Sequence, residues 1–89
     1  MTTENAIKKV EKLTGVKPVK VHHLYQAIIG NEALEFHTQK GWGKTADEEH
    51  ITCISTRRKT EYSDSMTDYF PQTWHDNITQ AINFALRYA

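Results

Sequence analysis

The sequence predicts an α+β fold in the order α-β-β-β-α, a three-stranded antiparallel sheet with two helices packed on one face. Apolar residues toward both ends recur at three- and four-residue steps, whereas those between them recur at every second position. A Gly30-Asn31 pair separates two of the alternating runs, and these residues tolerate the positive φ that a tight hairpin turn requires. Helix stripes and half-polar strands each need a covering surface, and each supplies what the other lacks.

The first helix is carried by Ala6, Ile7, Val10 and Leu13, with Lys8, Lys9, Glu11 and Lys12 on the other face. Thr2 or Thr3 can cap its start, Glu4 suits its first turn, and Gly15 followed by Pro18 ends it. From Lys17 to Thr38 the period falls to two. Val19, Val21, His23 and Tyr25 alternate with Lys20, His22, Leu24 and Gln26, and beyond Gly30-Asn31, Leu34 and Phe36 alternate with Glu35 and His37. This reads as two strands, one on each side of the turn. A looser connection follows through Asp47. A third strand, rich in β-branched residues, runs roughly from Glu49 to Arg57, with Ile51, Cys53 and Ser55 on one face and Thr52, Ile54 and Thr56 on the other. Arg58 to Pro71 has no period and reads as a loop or a short extra strand. The last helix opens with Thr73-x-x-Asp76, which resembles a capping box, and Trp74, Ile78, Ala81, Ile82 and Ala85 line one side of it. Ile7, Val10, Leu13, Leu34, Phe36, Ile78, Ile82 and Ala85 are the expected core.

Eighty-nine residues suit one domain spanning 1–89. Hydrophobic residues make up 38% and charged residues 25%, a globular balance and not that of a disordered chain. Eleven basic residues match eleven acidic ones, so bulk charge holds neither nucleic acid nor an anionic membrane, although a local patch can still form. The longest apolar runs, such as Ala27-Ile28-Ile29, are far too short to cross a bilayer. Cys53 is alone, which excludes a disulfide framework or a CxxC site and points to a reducing, cytoplasmic setting.

The densest group of functional candidates lies between Arg57 and Pro71. Arg57, Arg58 and Lys59 are adjacent cations able to face an anionic partner, and as exposed charges they should contribute little to stability. Glu61, Asp64 and Asp68 follow among hydroxyl residues, and Tyr69 and Phe70 close the segment. The competing reading is a solvated connection whose charges pair with one another and whose aromatics cover the base of the last helix. The run Ser63-Asp64-Ser65-Met66-Thr67-Asp68-Tyr69-Phe70, after a strand ending in arginines, resembles a signature of the large polyvalent protein-associated domains of phages, plasmids and integrative elements. That resemblance implies a mobile-element setting and an α+β fold. It also makes Asp64, Asp68, Tyr69 and Phe70 important, as capping and anchoring residues or as contacts, and it brings no catalytic residues.

A second candidate is Lys40-Gly41-Trp42-Gly43-Lys44, in which Trp42 can stack on a base, anchor in a partner's pocket or fold back over the sheet. Five histidines (His22, His23, His37, His50, His75) and Cys53 lack the spacing of a zinc site, although His37 and His50 could meet across neighbouring strands. Cys53 itself reads as a small buried hydrophobe. No phosphate loop, nucleophile elbow or spaced carboxylate pair is present, so neither an enzyme nor a cofactor is expected. The element order matches double-stranded RNA-binding domains, yet the last helix begins without their lysine cluster. The expectation is a non-enzymatic protein-interaction module of a phage or mobile element, in its specific form an inhibitor or modulator of a host defence or regulatory protein. Its partner-binding candidates are Trp42, Arg57, Arg58, Lys59, Asp64, Asp68 and Tyr69. The alternative is a nucleic-acid-binding accessory protein.

Overall fold

Residues 1–41, 47–58 and 72–89, described by a computed structural model, form two helices and five strands. Their order is α1 (Thr3–Thr14), β1 (Val19–Val21), β2 (Leu24–Ile29), β3 (Glu32–Lys40), β4 (Glu49–Arg58), β5 (Gln72–His75) and α2 (Ile78–Tyr88). The strands make one antiparallel sheet in the sequential order β1-β2-β3-β4-β5. The α+β class is the expected one, but the sheet has five strands where the periodicity predicts three.

Helix α1 follows its signals closely. Thr2 Oγ1 accepts from the Asn5 amide at 3.2 Å, and Gly15, at φ +77°, donates its amide to Glu11 O at 2.8 Å. Leu13 departs from expectation at 47% exposure. The chain turns at Gly15, and Val16 instead of Leu13 packs against the core beyond it.

Both additional strands come from signals that are weak in sequence. Val21 pairs directly with Leu24, so the alternating run from Val19 to Gln26 is a hairpin and not one strand. Its two turn residues are His22 and His23, with His22 at φ +57°, in a region that residues other than glycine rarely occupy. The turn therefore lacks the glycine or asparagine that would announce it. At the other end, Gln72–His75 is extended where a capping box and first helical turn are expected. Thr73 and Trp74 suit a strand, and pairing with β4 satisfies the backbone of this segment. Helix α2 starts one turn later. Asn77 Oδ1 accepts from the Gln80 amide at 2.9 Å, while Gln80 Oε1 accepts from the Asp76 amide at 3.3 Å.

The Gly30-Asn31 hairpin forms as expected, with Gly30 at φ +59° and no positive φ at Asn31, the pattern of a type II′ turn. Between β3 and β4 the register slips. Phe36 faces Ile54, but Thr38 faces Ile51, so His37 alone opposes Thr52 and Cys53. This bulge brings Ile51 and Ile54 to the same side, where strict alternation would separate them. It also leaves Cys53 exposed, against the expectation of a buried hydrophobe.

One apolar cluster joins Ala6 and Val10 of α1, Ala27, Ile29, Leu34, Phe36 and Ile54 of the sheet, and Ile78, Ala81, Ile82 and Ala85 of α2. The helices also touch each other, with Lys9 Nζ donating to Thr79 Oγ1 at 2.6 Å. Both therefore cover the same face. Phe36 is fully buried at the centre and stacks on Tyr25 with ring centroids 5.6 Å apart. Ile7 is only partly buried.

Candidate functional site

Residues paired directly across antiparallel strands share a face, so the register fixes what the helix-free face displays. One row crosses all five strands: Val19, Gln26, Glu35, Ser55 and Trp74. A neighbouring row carries Ile28, Ala33, Arg57 and Gln72. None of these side chains belongs to the apolar cluster beneath the helices.

Glu35 is the centre of this face and is buried. Its Oε1 accepts from Arg57 Nε at 2.6 Å, and its Oε2 accepts from Arg57 Nη2 at 2.8 Å and Gln26 Nε2 at 3.0 Å. A bidentate guanidinium with a carboxamide satisfies a carboxylate that burial would otherwise penalise. Alongside, Gln72 Nε2 donates to Ser55 Oγ at 3.2 Å, tying β5 to β4.

The next residue of β4 faces the other way. Arg58 Nε donates to Glu32 Oε1 at 2.8 Å, and its guanidinium lies 4.5 Å from the centroid of the Tyr88 ring. Glu32 is fully buried, and its Oε2 has no hydrogen-bond partner among the described residues. Phe84 bridges Tyr88 and His75 at centroid distances of 4.7 and 5.1 Å, and His75 Nε2 shares a 2.9 Å hydrogen bond with Thr56 Oγ1. Burial lowers the pKa of His75 below its ordinary 6.5, while the charges of Glu32 and Asp76 partly oppose that shift. This cluster fastens α2 to the strands beneath it.

The sequence treats Arg57 and Arg58 as one cationic patch of little structural weight. Consecutive strand residues point to opposite faces, and each arginine is bound to a different buried glutamate. The expected effect of alanine at these positions changes accordingly, from indifference to loss of stability. Trp42, Lys59, Asp64, Asp68 and Tyr69, with Phe70 and the rest of the Ser63–Phe70 run, lie outside the described residues. His37 and His50 do not face each other, since His50 pairs with Gln39 and His37 opposes the bulge. Among the described residues, no three His, Cys, Asp or Glu side chains are grouped to hold a metal ion.

Sequence reasoning missed three residues of the helix-free face. Trp74, assigned to a helix stripe, stands on edge strand β5 at 62% exposure. Gln26 and Glu35 read as ordinary polar alternates, and only the register shows that they converge with Arg57. A glutamate between Leu34 and Phe36 in mid-strand is the one signal that could have marked Glu35.

Two depressions flank these elements. The smaller, about 280 Å³, opens on the helix-free face beside the β1–β2 turn, with His22, His23, His37 and Leu24 around Gln26, Glu35 and Arg57. The larger, about 860 Å³, runs along α1 among surface lysines and carboxylates, such as the exposed Lys8–Glu4 pair. The smaller is the better candidate because buried, hydrogen-bonded polar groups converge in it.

Among the described residues, no helix is long and apolar enough to cross a membrane. No protein-family model matches this chain, and no curated protein or solved structure was found similar to it. Fold and site define an α+β module: a five-stranded antiparallel sheet with both helices on one face and a carboxylate-centred polar row on the other.

Proposed function

We propose that this chain is a non-enzymatic protein-interaction module that engages its partner through the helix-free face of the sheet. The observation that carries this reading is Trp74, a large aromatic on an edge strand with most of its surface in water. Val19 and Ile28, also exposed, lie on the same face, and between them the Glu35–Arg57 pair is internally neutralised. An exposed tryptophan beside apolar side chains and satisfied polar groups has the composition of a protein contact, in which tryptophan is often the dominant residue. Two of the arginines that a nucleic-acid reading would use on phosphates, Arg57 and Arg58, are already charge-paired with Glu35 and Glu32. The exposed, single Cys53 fits a reducing, cytoplasmic setting. A phage or mobile-element origin, and the specific role of inhibiting a host defence or regulatory protein, rest on the Ser63–Phe70 resemblance alone.

The test is capture of partners by the tagged chain with and without nuclease, paired with titration of DNA and RNA at several salt concentrations. A partner retained after nuclease treatment, with no steep salt dependence in nucleic-acid binding, is the expected result. Nuclease-sensitive capture with a steep negative salt slope would replace this reading with the nucleic-acid-binding alternative.

A further inference from the structure

The depression beside the β1–β2 turn has a chemistry that the protein-contact reading does not use. We infer that it is a site for a small, uncharged, planar heterocycle about the size of one nucleobase.

Size comes first. About 280 Å³ lies just under the range of roughly 300–1,000 Å³ typical of pockets for drug-sized ligands, which fits one or two fused rings. The walls favour a flat ring, because Val21, Leu24 and the imidazoles of His22, His23 and His37 present mainly carbon surface. The floor decides the charge. Glu35 and Arg57 cancel, so the carboxylate oxygens disfavour an anion and the guanidinium disfavours a cation.

The floor also gives the hydrogen-bonding pattern. Gln26 uses its amide nitrogen on Glu35, and its carbonyl oxygen has no partner among the described residues. Arg57 uses Nε and Nη2 on Glu35, and the remaining face of its guanidinium carries further N–H donors. Gln26 and Arg57 both line the depression, so it offers an acceptor and donors, the complement of a ring edge that carries an N–H and a carbonyl or ring nitrogen, as a nucleobase does. A second, independent observation is the backbone of His22. This wall residue holds φ +57°, and strain of this kind concentrates at binding sites.

The same ring chemistry could come from a free base or from a base in a single strand, and the experiment separates them. Backbone amide resonances of the full chain are followed by NMR during titration with uracil, adenine, indole, and a short oligouridine. The expected result is saturable shifts at Leu24, Gln26, Glu35 and His37 with uracil or adenine. Leu24→Trp, which fills the depression, should abolish them without lowering Tm, and Gln26→Met should weaken binding about fivefold through loss of one hydrogen bond. Oligouridine binding more tightly than uracil, and equally sensitive to Leu24→Trp, would assign the ring to a strand; binding no tighter would assign it to a free molecule. No shifts at these amides, shifts that survive Leu24→Trp, or indole binding as well as the bases would overturn the inference. Trp74 shares the row of Gln26 and Glu35 but does not line the depression, so its replacement should leave the titration unchanged, and failure here does not touch the protein-contact reading.

Discussion

Arg57→Ala should destabilise the protein markedly, because it removes two of the three described hydrogen bonds to a carboxylate that cannot reach water. The Glu35 side chain is 5% exposed and would lose the contacts at 2.6 and 2.8 Å, keeping only Gln26 at 3.0 Å. Breaking a buried ion pair from one side usually costs about 3–5 kcal/mol. The Arg57 side chain is 24% exposed, so water can enter the vacated space and rehydrate part of the carboxylate. The expected loss is therefore smaller, about 2–3 kcal/mol. In a domain of this size that corresponds to a Tm lower by roughly 10–20 °C. Urea denaturation of Arg57→Ala gives the loss, and Arg57→Met, Glu35→Leu and the double variant Glu35→Leu/Arg57→Met form a closed cycle. The double variant leaves no orphaned charge and should lie within about 1 kcal/mol of the parent. A change below about 0.5 kcal/mol in Arg57→Ala would refute the reasoning, since that is how a surface arginine behaves.

Three further expectations follow from the backbone and from His75. His22→Gly should raise stability by about 0.5 kcal/mol, the relief of a positive φ less the greater freedom of glycine in the unfolded chain, whereas His23→Gly should lower it; thermal melts of both decide. Gly30→Ala should lose about 2 kcal/mol by the same melts, because φ is +59° and the added Cβ would approach the Ala89 backbone carbon at 2.8 Å; removing Ala89 should recover only the steric part. The folded state holds fewer protons on His75 than the unfolded state just below pH 6.5, since burial lowers its pKa. Stability from this group is thus present above pH 6.5 and falls as acid carries the pH down through the folded-state pKa, and denaturation at a series of pH values should show that loss reduced in His75→Phe.

The helices and the central hairpin were legible because their signals are local. Thr2, Gly15 and Gly30 each act within four residues, and the stripe of Ile78, Ala81, Ile82 and Ala85 needs only the helical period. The strand count was not legible, because His22-His23 turns the chain without a turn-forming residue and Gln72–His75 gains its extended form from β4. Capping at Asn77 instead of Thr73 follows from that pairing, since the backbone before Asp76 is already engaged. The bulge at Thr52-Cys53 defeats any strict period of two, which is why Ile51 and Cys53 were misplaced. The site was hidden for the same reason. Glu35 lies 9 residues from Gln26 and 22 from Arg57, and only the register brings them together. Trp74 reads in sequence as part of a helix stripe, and only the pairing of β5 with β4 places it on an edge strand.

The most direct test of the account is Trp74→Ser, read in two ways on the same preparation. Its side chain is mostly in water, so the melting temperature should stay within what a surface substitution allows, about 0.5 kcal/mol. Partner capture, in contrast, should be lost. A variant that melts with the parent and no longer retains the parent's nuclease-resistant partners is the predicted result; one that captures them unchanged, or that unfolds several kilocalories earlier, would contradict the assignment of the helix-free face as the contact surface.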